Sequence, residues 1–247
     1  MADKVAIGFI GLGVMGEPIC RNLAQKSGAT VLAFDLQPAP LERLRAQGVV
    51  AAASVPEVAQ EAGVVFVCLP SGRHVEAVCD GPGGLLVLAR PAQLIVDLGT
   101  SPVALARRLW AAFAQKDAAF ADAPIARTRE AARQGTLSVM VGGDAAVFAR
   151  LEPLIRCFAS DITHCGGPGA GQVVKILNNM VLMQTVNALA EAMALGRRSG
   201  VDPSMLFSTL AKGSADSFAL RNHGMKAILP GEFPEQAFST DCLLYTS

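Results

Sequence analysis

The feature that most constrains the fold is a glycine-rich turn between an apolar strand and a helical pattern. The apolar run Val5–Ile10 comes before the turn, and a helix is predicted after it over Gly16–Lys26. The turn itself consists of Gly11, Leu12, Gly13, Val14, Met15 and Gly16. Its three glycines permit a tight bend, a close approach of ligand to backbone, and close packing of helix on strand. The helix start also presents unpaired N–H groups and its positive dipole end, so we predict a pyrophosphate-binding turn.

An acidic residue ends the second predicted strand, Thr30–Phe34. Asp35 follows the third glycine by about 20 residues, where a carboxylate accepts hydrogen bonds from the adenosine ribose and repels a 2′-phosphate. No arginine follows in Leu36-Gln37-Pro38 to hold such a phosphate. The alternative is that the glycines serve only turns. Because strand, turn, helix and acid agree, the sequence predicts NAD as the cofactor in preference to NADP.

Strand-like and helical patterns alternate through the first two thirds of the chain. Further strands are predicted at Val64–Leu69, Leu94–Asp97, Phe120–Asp122, Leu137–Val141 and Ile162–His164. Further helices are predicted at Pro40–Gln47, Val55–Ala62, Val103–Lys116 and Ala145–Phe158. Continuous apolar strands are typical of a parallel sheet covered by helices on both faces. We therefore predict an α/β fold, with a doubly wound Rossmann domain over residues 1–164.

The pattern changes after residue 164. The glycine-rich run Gly166–Gly171 is followed by a long helical pattern to about Arg198. Shorter helical patterns follow at Asp202–Lys212 and Ser217–Ala227. We predict an all-helical second domain over residues 165–247, with a role in substrate binding and oligomerisation.

Composition and charge argue against several classes of protein. The 21 basic residues balance 21 acidic ones, so we expect no nucleic-acid or membrane partner. No uncharged apolar stretch reaches the roughly 20 residues of a membrane-spanning helix. The N-terminus lacks the pattern of a signal peptide. The six cysteines form no C-x-x-C pair, which predicts neither a metal site nor a disulfide framework and favours a cytoplasmic location.

A lysine stands in the apolar part of the long helical pattern. Lys175 is the only formally charged residue between Asp161 and Glu191. Asn179 lies one helical turn further on, and Asn178 is beside it. Burial lowers the pKa of a lysine towards the range useful for proton transfer, although its amine could instead reach solvent. In a dinucleotide-binding chain we favour a general acid/base, since hydride loss from a carbinol requires loss of the hydroxyl proton.

Four segments carry a resemblance to a known family. They are Gly8–Gly16 with Pro18, Asn22 and Leu23; Asp97–Thr100; Asp122–Ile125; and Gly169–Asn179. Together they resemble the β-hydroxyacid dehydrogenases, the family of 3-hydroxyisobutyrate dehydrogenase. The resemblance implies an NAD-dependent oxidoreductase acting on a small anionic 3-hydroxy acid or its semialdehyde. It also implies a homodimer or homotetramer.

The resemblance assigns roles to particular residues. Lys175 would be the general acid/base, and Asn179 would help to position it or the substrate. Thr100 would lie near the nicotinamide, while Leu69 and Pro70 would line the cofactor cleft. An imine or keto-acid reductase, or a catalytically silent NAD-binding relative, remains an alternative, and Lys175 argues against both.

The chain departs from the family pattern in two places. Most members have Ser-Gly-Gly where this chain has Ala126, Arg127 and Thr128. A guanidinium can bind a carboxylate, phosphate or sulfonate through two parallel hydrogen bonds. We therefore expect these three residues, with Asn178, to bind the anionic substrate. The similar Gly-Arg-Thr of 3-sulfolactaldehyde reductases makes a sulfonate an option; the alternative is that Arg127 points to solvent.

The second departure concerns the C-terminus. Beyond Asp241 the family continues with a Lys-Asp pair and further helices. Tyr245 and Thr246 stand there in this chain, so the resemblance predicts a helical domain that lacks its last helices.

Overall fold

The computed structural model describes residues 6–233, and the structural statements below concern that part of the chain. The strands are β1 (Ala6–Ile10), β2 (Val31–Phe34), β3 (Val50–Ala51), β4 (Ala62–Val67), β5 (Leu94–Asp97), β6 (Ala119–Asp122), β7 (Ile125–Ala126), β8 (Leu137–Gly142) and β9 (Ala159–Gly166). The α-helices are α1 (Gly16–Lys26), α2 (Pro38–Arg45), α3 (Val55–Glu61), α4 (Gly72–Asp80), α5 (Val103–Ala114), α6 (Arg129–Gln134), α7 (Ala145–Ile155), α8 (Ala170–Arg198) and α9 (Pro203–Leu210). A π-helical segment, Leu220–Ile228, follows.

The nine strands form one sheet. Six of them run parallel in the order β3-β2-β1-β4-β5-β6, which is the order of a dinucleotide-binding Rossmann sheet. The predicted α/β fold is therefore confirmed. The sheet also has an antiparallel part, because β8 runs antiparallel to both β6 and β7, and β9 runs parallel to β8. Too little chain separates β7 from β8 for a long crossover helix, and only the short α6 lies between them.

The sheet is covered on both faces. One core cluster contains Phe9, Phe66 and Phe158, and the other contains Phe113 and Phe120, all fully buried. Each such side chain contributes about 1.5–3 kcal/mol when it leaves water. This burial explains why the strands read as continuous apolar runs in the sequence. The elements that the sequence analysis missed are short (β3, β7 and α6) or, like α4, begin at a glycine.

The described chain divides into two compact units, with the division after Lys175. The first unit contains the sheet and the first turns of α8. The second contains the rest of α8, α9 and the π-helical segment, with a small core of Leu189, Phe207, Ala219 and Leu220. The predicted domain boundary at residue 164 stays a prediction. The predicted loss of the last helices concerns residues beyond 233, outside the described part.

No helix among residues 6–233 is long and apolar enough to cross a membrane.

Candidate active site

The glycine turn adopts the geometry that its sequence predicts. Gly11 has a φ of +94°, and a Cβ there would collide with the carbonyl oxygen of Cys68 at the end of the neighbouring strand. A Cβ on Gly16 would collide with the carbonyl oxygen of Gly11. Gly13 is different, because nothing lies within 4 Å of the position that its Cβ would take. Two glycines are thus required by packing, while the third borders open space that a ligand can enter.

Asp35 lies against this turn. Its Oδ2 accepts a hydrogen bond from the Leu12 amide at 2.5 Å, and its Oδ1 accepts one from the Gln37 amide at 2.8 Å. The carboxylate is therefore held at the carboxyl end of β2, next to the turn. Met15, which precedes α1, makes no side-chain cap, and Val14 is exposed. The turn, the uncapped helix start and the carboxylate fit the pyrophosphate and ribose of a dinucleotide.

The loops that follow β4 and β5 lie at the same end of the parallel strands as the glycine turn. Leu69 lies between the two loops: its side chain borders Gly11, and its carbonyl oxygen is 3.2 Å from the position of a Cβ on Gly99. Pro70 is exposed and Thr100 is half-buried. The cofactor-binding residues predicted from separate segments thus gather at one end of the sheet.

A buried carboxylate fixes the start of α8. Asp122, at the end of β6, accepts hydrogen bonds from the amides of Gly169 and Gln172, each at 2.8 Å. Burial raises the pKa of Asp122, and these backbone hydrogen bonds oppose the rise. A Cβ on Gly171 would collide with the carbonyl oxygen of Met140. The first turn of α8 is therefore packed directly on β6 and β8.

Lys175 follows this fixed turn and is only 8% exposed. Asn179, one turn further along α8, is 2% exposed, and its Nδ2 has no hydrogen-bond partner within the described chain. Asn178 is exposed and its Nδ2 lies 3.4 Å from the Asn179 Oδ1. A buried amide donor without a partner is costly, which suggests that a ligand oxygen satisfies it.

The predicted anion-binding side chains are engaged elsewhere. The Arg127 guanidinium donates to the Thr136 carbonyl at 2.7 Å and pairs with the Asp161 carboxylate at 2.8 Å. Thr128 caps α6, its Oγ1 accepting from the Ala131 amide, and Ala126 lies in β7. Thr136 comes four residues before Met140, about 13 Å along an extended chain, and it is the Met140 carbonyl oxygen that borders Gly171 in the first turn of α8. The structure therefore does not bring the Arg127 guanidinium to the first turn of α8.

Comparisons with known proteins place the chain in a family. Residues 6–167 match the family described as the NAD binding domain of 6-phosphogluconate dehydrogenase. Residues 169–244 match the one described as "NAD-binding of NADP-dependent 3-hydroxyisobutyrate dehydrogenase". The chain is 40% identical to a 3-hydroxyisobutyrate dehydrogenase of Pseudomonas aeruginosa, over 93% of this chain and 76% of that one. The chain belongs to the β-hydroxyacid dehydrogenase family.

Two further relatives agree with this assignment. A 2-(hydroxymethyl)glutarate dehydrogenase of Eubacterium barkeri is 37% identical, over 94% of this chain and 77% of the relative. The 3-hydroxyisobutyrate dehydrogenase of Mycobacterium tuberculosis, solved with L-serine, has a TM-score of 0.81 and 36% identity, covering 88% of this chain and 74% of that one. The predicted family and enzyme class are confirmed. This β-hydroxyacid dehydrogenase is an oxidoreductase that acts on CH–OH groups and binds NAD(P).

Sequence reasoning missed three residues that shape the site of this dehydrogenase. Asp97, Ser101 and Gln172 are all buried and hydrogen-bonded around the loop that carries Thr100. Burial raises the pKa of Asp97 to about 7, although hydrogen bonds from Ser101 and Gly99 oppose the rise. An acidic residue at the end of an apolar strand was the one available signal. Among the described residues no group of three or more His, Cys, Asp or Glu could hold a metal ion.

Proposed function

We propose that this chain transfers a hydride between NAD(H) and the carbinol carbon of a small 3-hydroxy acid, or the aldehyde carbon of its semialdehyde. The observation that carries the proposal is the buried Lys175. It lies on α8, and the first turn of that helix is bonded to Asp122 at the carboxyl end of β6. A lysine in this place is suited to move a proton at the oxygen of the reacting carbon.

The roles of the residues follow from this chemistry. The nicotinamide ring, when bound, supplies or accepts the hydride. During oxidation the Lys175 amine takes the hydroxyl proton as the carbon loses hydride, and during reduction it returns that proton to the new alkoxide. Asn179 offers its unpartnered Nδ2 to the same oxygen. Asn178 lies beside it, and Thr100 orients the nicotinamide.

The remaining cofactor contacts are assigned to the turn at the start of the sheet. Residues Gly11, Leu12, Gly13, Val14, Met15 and Gly16 bind the pyrophosphate, and Asp35 binds the adenosine ribose. Because Asp35 would also repel a 2′-phosphate, we propose NAD rather than NADP. Leu69 and Pro70 line the cleft on the other side.

The substrate that we propose carries a carboxylate. The relatives are named for 3-hydroxyisobutyrate and 2-(hydroxymethyl)glutarate, both hydroxy acids. The sulfonate option depended on a guanidinium at Arg127 that was available to an anion, and the pairing with Asp161 removes that support. Backbone amides of the Ala126–Thr128 loop are the remaining candidates for holding the carboxylate. Lys175 still argues against the imine reductase alternative.

The proposal is tested by replacing Lys175. We expect Lys175→Met to lower kcat by at least about 100-fold on every substrate, because proton transfer is lost. Its NADH affinity should be retained. The matched control is Lys116→Met, which removes an exposed lysine and should leave turnover intact. The substrates to compare are 3-hydroxyisobutyrate, glycerate, L-serine, 4-hydroxybutyrate and 2,3-dihydroxypropanesulfonate. Turnover by Lys175→Met at the wild-type rate would refute the mechanism.

We further propose a homodimer or homotetramer in the cytoplasm. Val174, Leu177, Met180 and Val181 of α8 are between 39% and 58% exposed, which is unusual for a run of apolar side chains on one helix. Five described cysteines are free, as expected of a reducing compartment. Sedimentation of the purified chain tests the assembly.

A further inference from the structure

Gln172 is a fully buried glutamine whose side chain does not serve its own helix. Its Oε1 accepts a hydrogen bond from the Ser101 amide at 3.0 Å, and its Nε2 donates to the Gly99 carbonyl at 2.9 Å. Both polar atoms of this side-chain amide therefore form hydrogen bonds with a single loop, at the residues on either side of Thr100. An apolar side chain of the same length could fill this space, so the amide has to be explained by the bonds it makes.

The same loop is held from the strand side by Asp97. Its Oδ1 accepts from the Gly99 amide at 2.8 Å, and its Oδ2 accepts from the Ser101 hydroxyl at 2.7 Å. Residues 99 and 101 are thus bonded to Asp97 on one side and to Gln172 on the other. This leaves Thr100 at a position that is fixed by both of its neighbours.

Gln172 is itself fixed at the helix. Its backbone amide donates to Asp122, which also holds the Gly169 amide. Lys175 follows Gln172 by three residues, within the same rigid first turns of α8. A continuous set of buried hydrogen bonds therefore links the loop that carries Thr100 to the helix that carries Lys175.

We propose that Gln172 is a positioning residue for hydride transfer. It sets the distance between the loop beside the nicotinamide and the helix that carries the proton-transfer lysine. The proposal rests on the proposed function, since that function gives Thr100 and Lys175 their roles. Hydride and proton transfer require both sites in one geometry, and a displacement of about 1 Å can cost about 100-fold in rate.

The test compares Gln172→Met with Gln93→Met. Gln93 is a matched control: it is 3% exposed, lies just before β5 and donates from Nε2 to the carbonyls of Ala59 and Ala62, each at 2.8 Å. It stands at the opposite end of the strand from Asp97. Both variants remove a buried amide: the Gln172 amide bonds to two backbone groups, and the Gln93 amide bonds to three, since the Arg90 amide also donates to its Oε1 at 3.3 Å. Gln93→Met should therefore lose at least as much stability as Gln172→Met. Only Gln172→Met should loosen the loop.

Four measurements separate positioning from stability. In Gln172→Met we expect kcat to fall by about 10- to 100-fold, with a larger primary deuterium isotope effect on substrate labelled at the carbinol carbon. The dissociation constant for NADH should change by less than a factor of about three. Hydrogen exchange at the Ser101 amide, which donates directly to Gln172, should speed up by at least about tenfold in the cofactor-free chain. Gln93→Met should change none of the four.

The possible outcomes each decide the matter. If Gln172→Met matches Gln93→Met in kcat, isotope effect and exchange, the proposal is overturned. If it folds poorly, Gln172→Asn keeps the amide but shortens its reach, and the same differences from Gln93→Met are expected. If the wild-type chain turns over no hydroxy acid, the proposed function fails. The exchange rate of the Ser101 amide then still decides whether Gln172 fixes the loop, because it needs no turnover.

Discussion

The guanidinium of Arg127 and the carboxylate of Asp161 form an ion pair at 2.8 Å across β7, β8 and β9. Arg127 also has a φ of +88°, which side chains with a Cβ rarely adopt. The Ser160 hydroxyl and the Arg127 charge hold the pKa of Asp161 below its ordinary value. The arginine therefore occupies a position that suits glycine, and its side chain is bonded to neighbouring strands.

This relationship predicts that glycine is the better tolerated replacement. Arg127→Gly removes the ion pair but also relieves a backbone strain of about 1–2 kcal/mol. Arg127→Ala removes the pair and keeps the strain, so its free energy of unfolding should be lower than that of Arg127→Gly by about 1 kcal/mol. Urea denaturation measures this difference.

The same two variants test the role of the guanidinium in binding. With the side chain paired to Asp161, we expect kcat/KM of Arg127→Gly to stay within a factor of about five of wild type. An equal loss of about 100-fold in both variants, with a raised KM for the anionic substrate, would mean that the guanidinium does hold the anion.

Whether a structural feature of this protein can be predicted from its sequence depends on how far apart the interacting residues are along the chain. The glycine turn and Asp35 could be recognised because each glycine, the helix start and the acid follow a local pattern. Lys175 and Asn179 could be paired because a helix repeats every 3.6 residues. These parts of the site required only local geometry.

The rest of the site depends on tertiary contacts. Ser101 and Gln172 are separated by 71 residues along the chain, and no periodic pattern brings a loop and a helix start together at that separation. The direction of the Arg127 side chain depends on its own backbone conformation and on the position of Asp161 in another strand. Neither the backbone conformation of Arg127 nor the position of Asp161 can be predicted from the tripeptide Ala-Arg-Thr.

Asp97 predicts a specific pH dependence of stability. Burial raises its pKa from 3.8 to about 7, so the folded chain binds this proton more tightly than the unfolded chain. Its contribution to stability is therefore present at low pH and is lost as the pH rises through this window. The slope contributed by one such group is at most about 1.4 kcal/mol per pH unit.

Asp97→Asn should remove that slope. Denaturant unfolding from pH 5 to pH 8 measures the free energy of unfolding, and the variant should gain on wild type as the pH rises. The control is Asp117→Asn, at an exposed position, which should keep the wild-type slope. If Asp97→Asn and wild type run parallel over the whole range, the carboxyl is not protonated in the folded state.

Gly13 and Gly16 should respond differently to alanine. A Cβ on Gly16 meets the Gly11 carbonyl oxygen, whereas a Cβ on Gly13 meets nothing within 4 Å. Gly16→Ala should therefore be destabilised by about 1–3 kcal/mol. Gly13→Ala should unfold at the wild-type midpoint but bind NADH at least about tenfold more weakly, because its methyl group would occupy open space at the proposed pyrophosphate site.

Thermal unfolding and NADH fluorescence titration, run on both variants, separate the two effects. Wild-type NADH affinity in Gly13→Ala would show that the open space beside Gly13 is not the pyrophosphate site.

Asp35 should control the choice between NADH and NADPH. Its carboxylate accepts hydrogen bonds from the amides of Leu12 and Gln37, and in the proposed function its charge would repel a 2′-phosphate. Asp35→Asn removes the charge and keeps a side-chain oxygen for one of these two amides. We expect the ratio of the NADPH to the NADH dissociation constant to fall by at least about tenfold, a change of about 1.4 kcal/mol. Fluorescence titration with both nucleotides measures the ratio, and the exposed Asp117→Asn should leave it unchanged. A chain that prefers NADPH before any substitution would contradict the assignment of NAD, and an unchanged ratio in Asp35→Asn would place the discrimination on other residues.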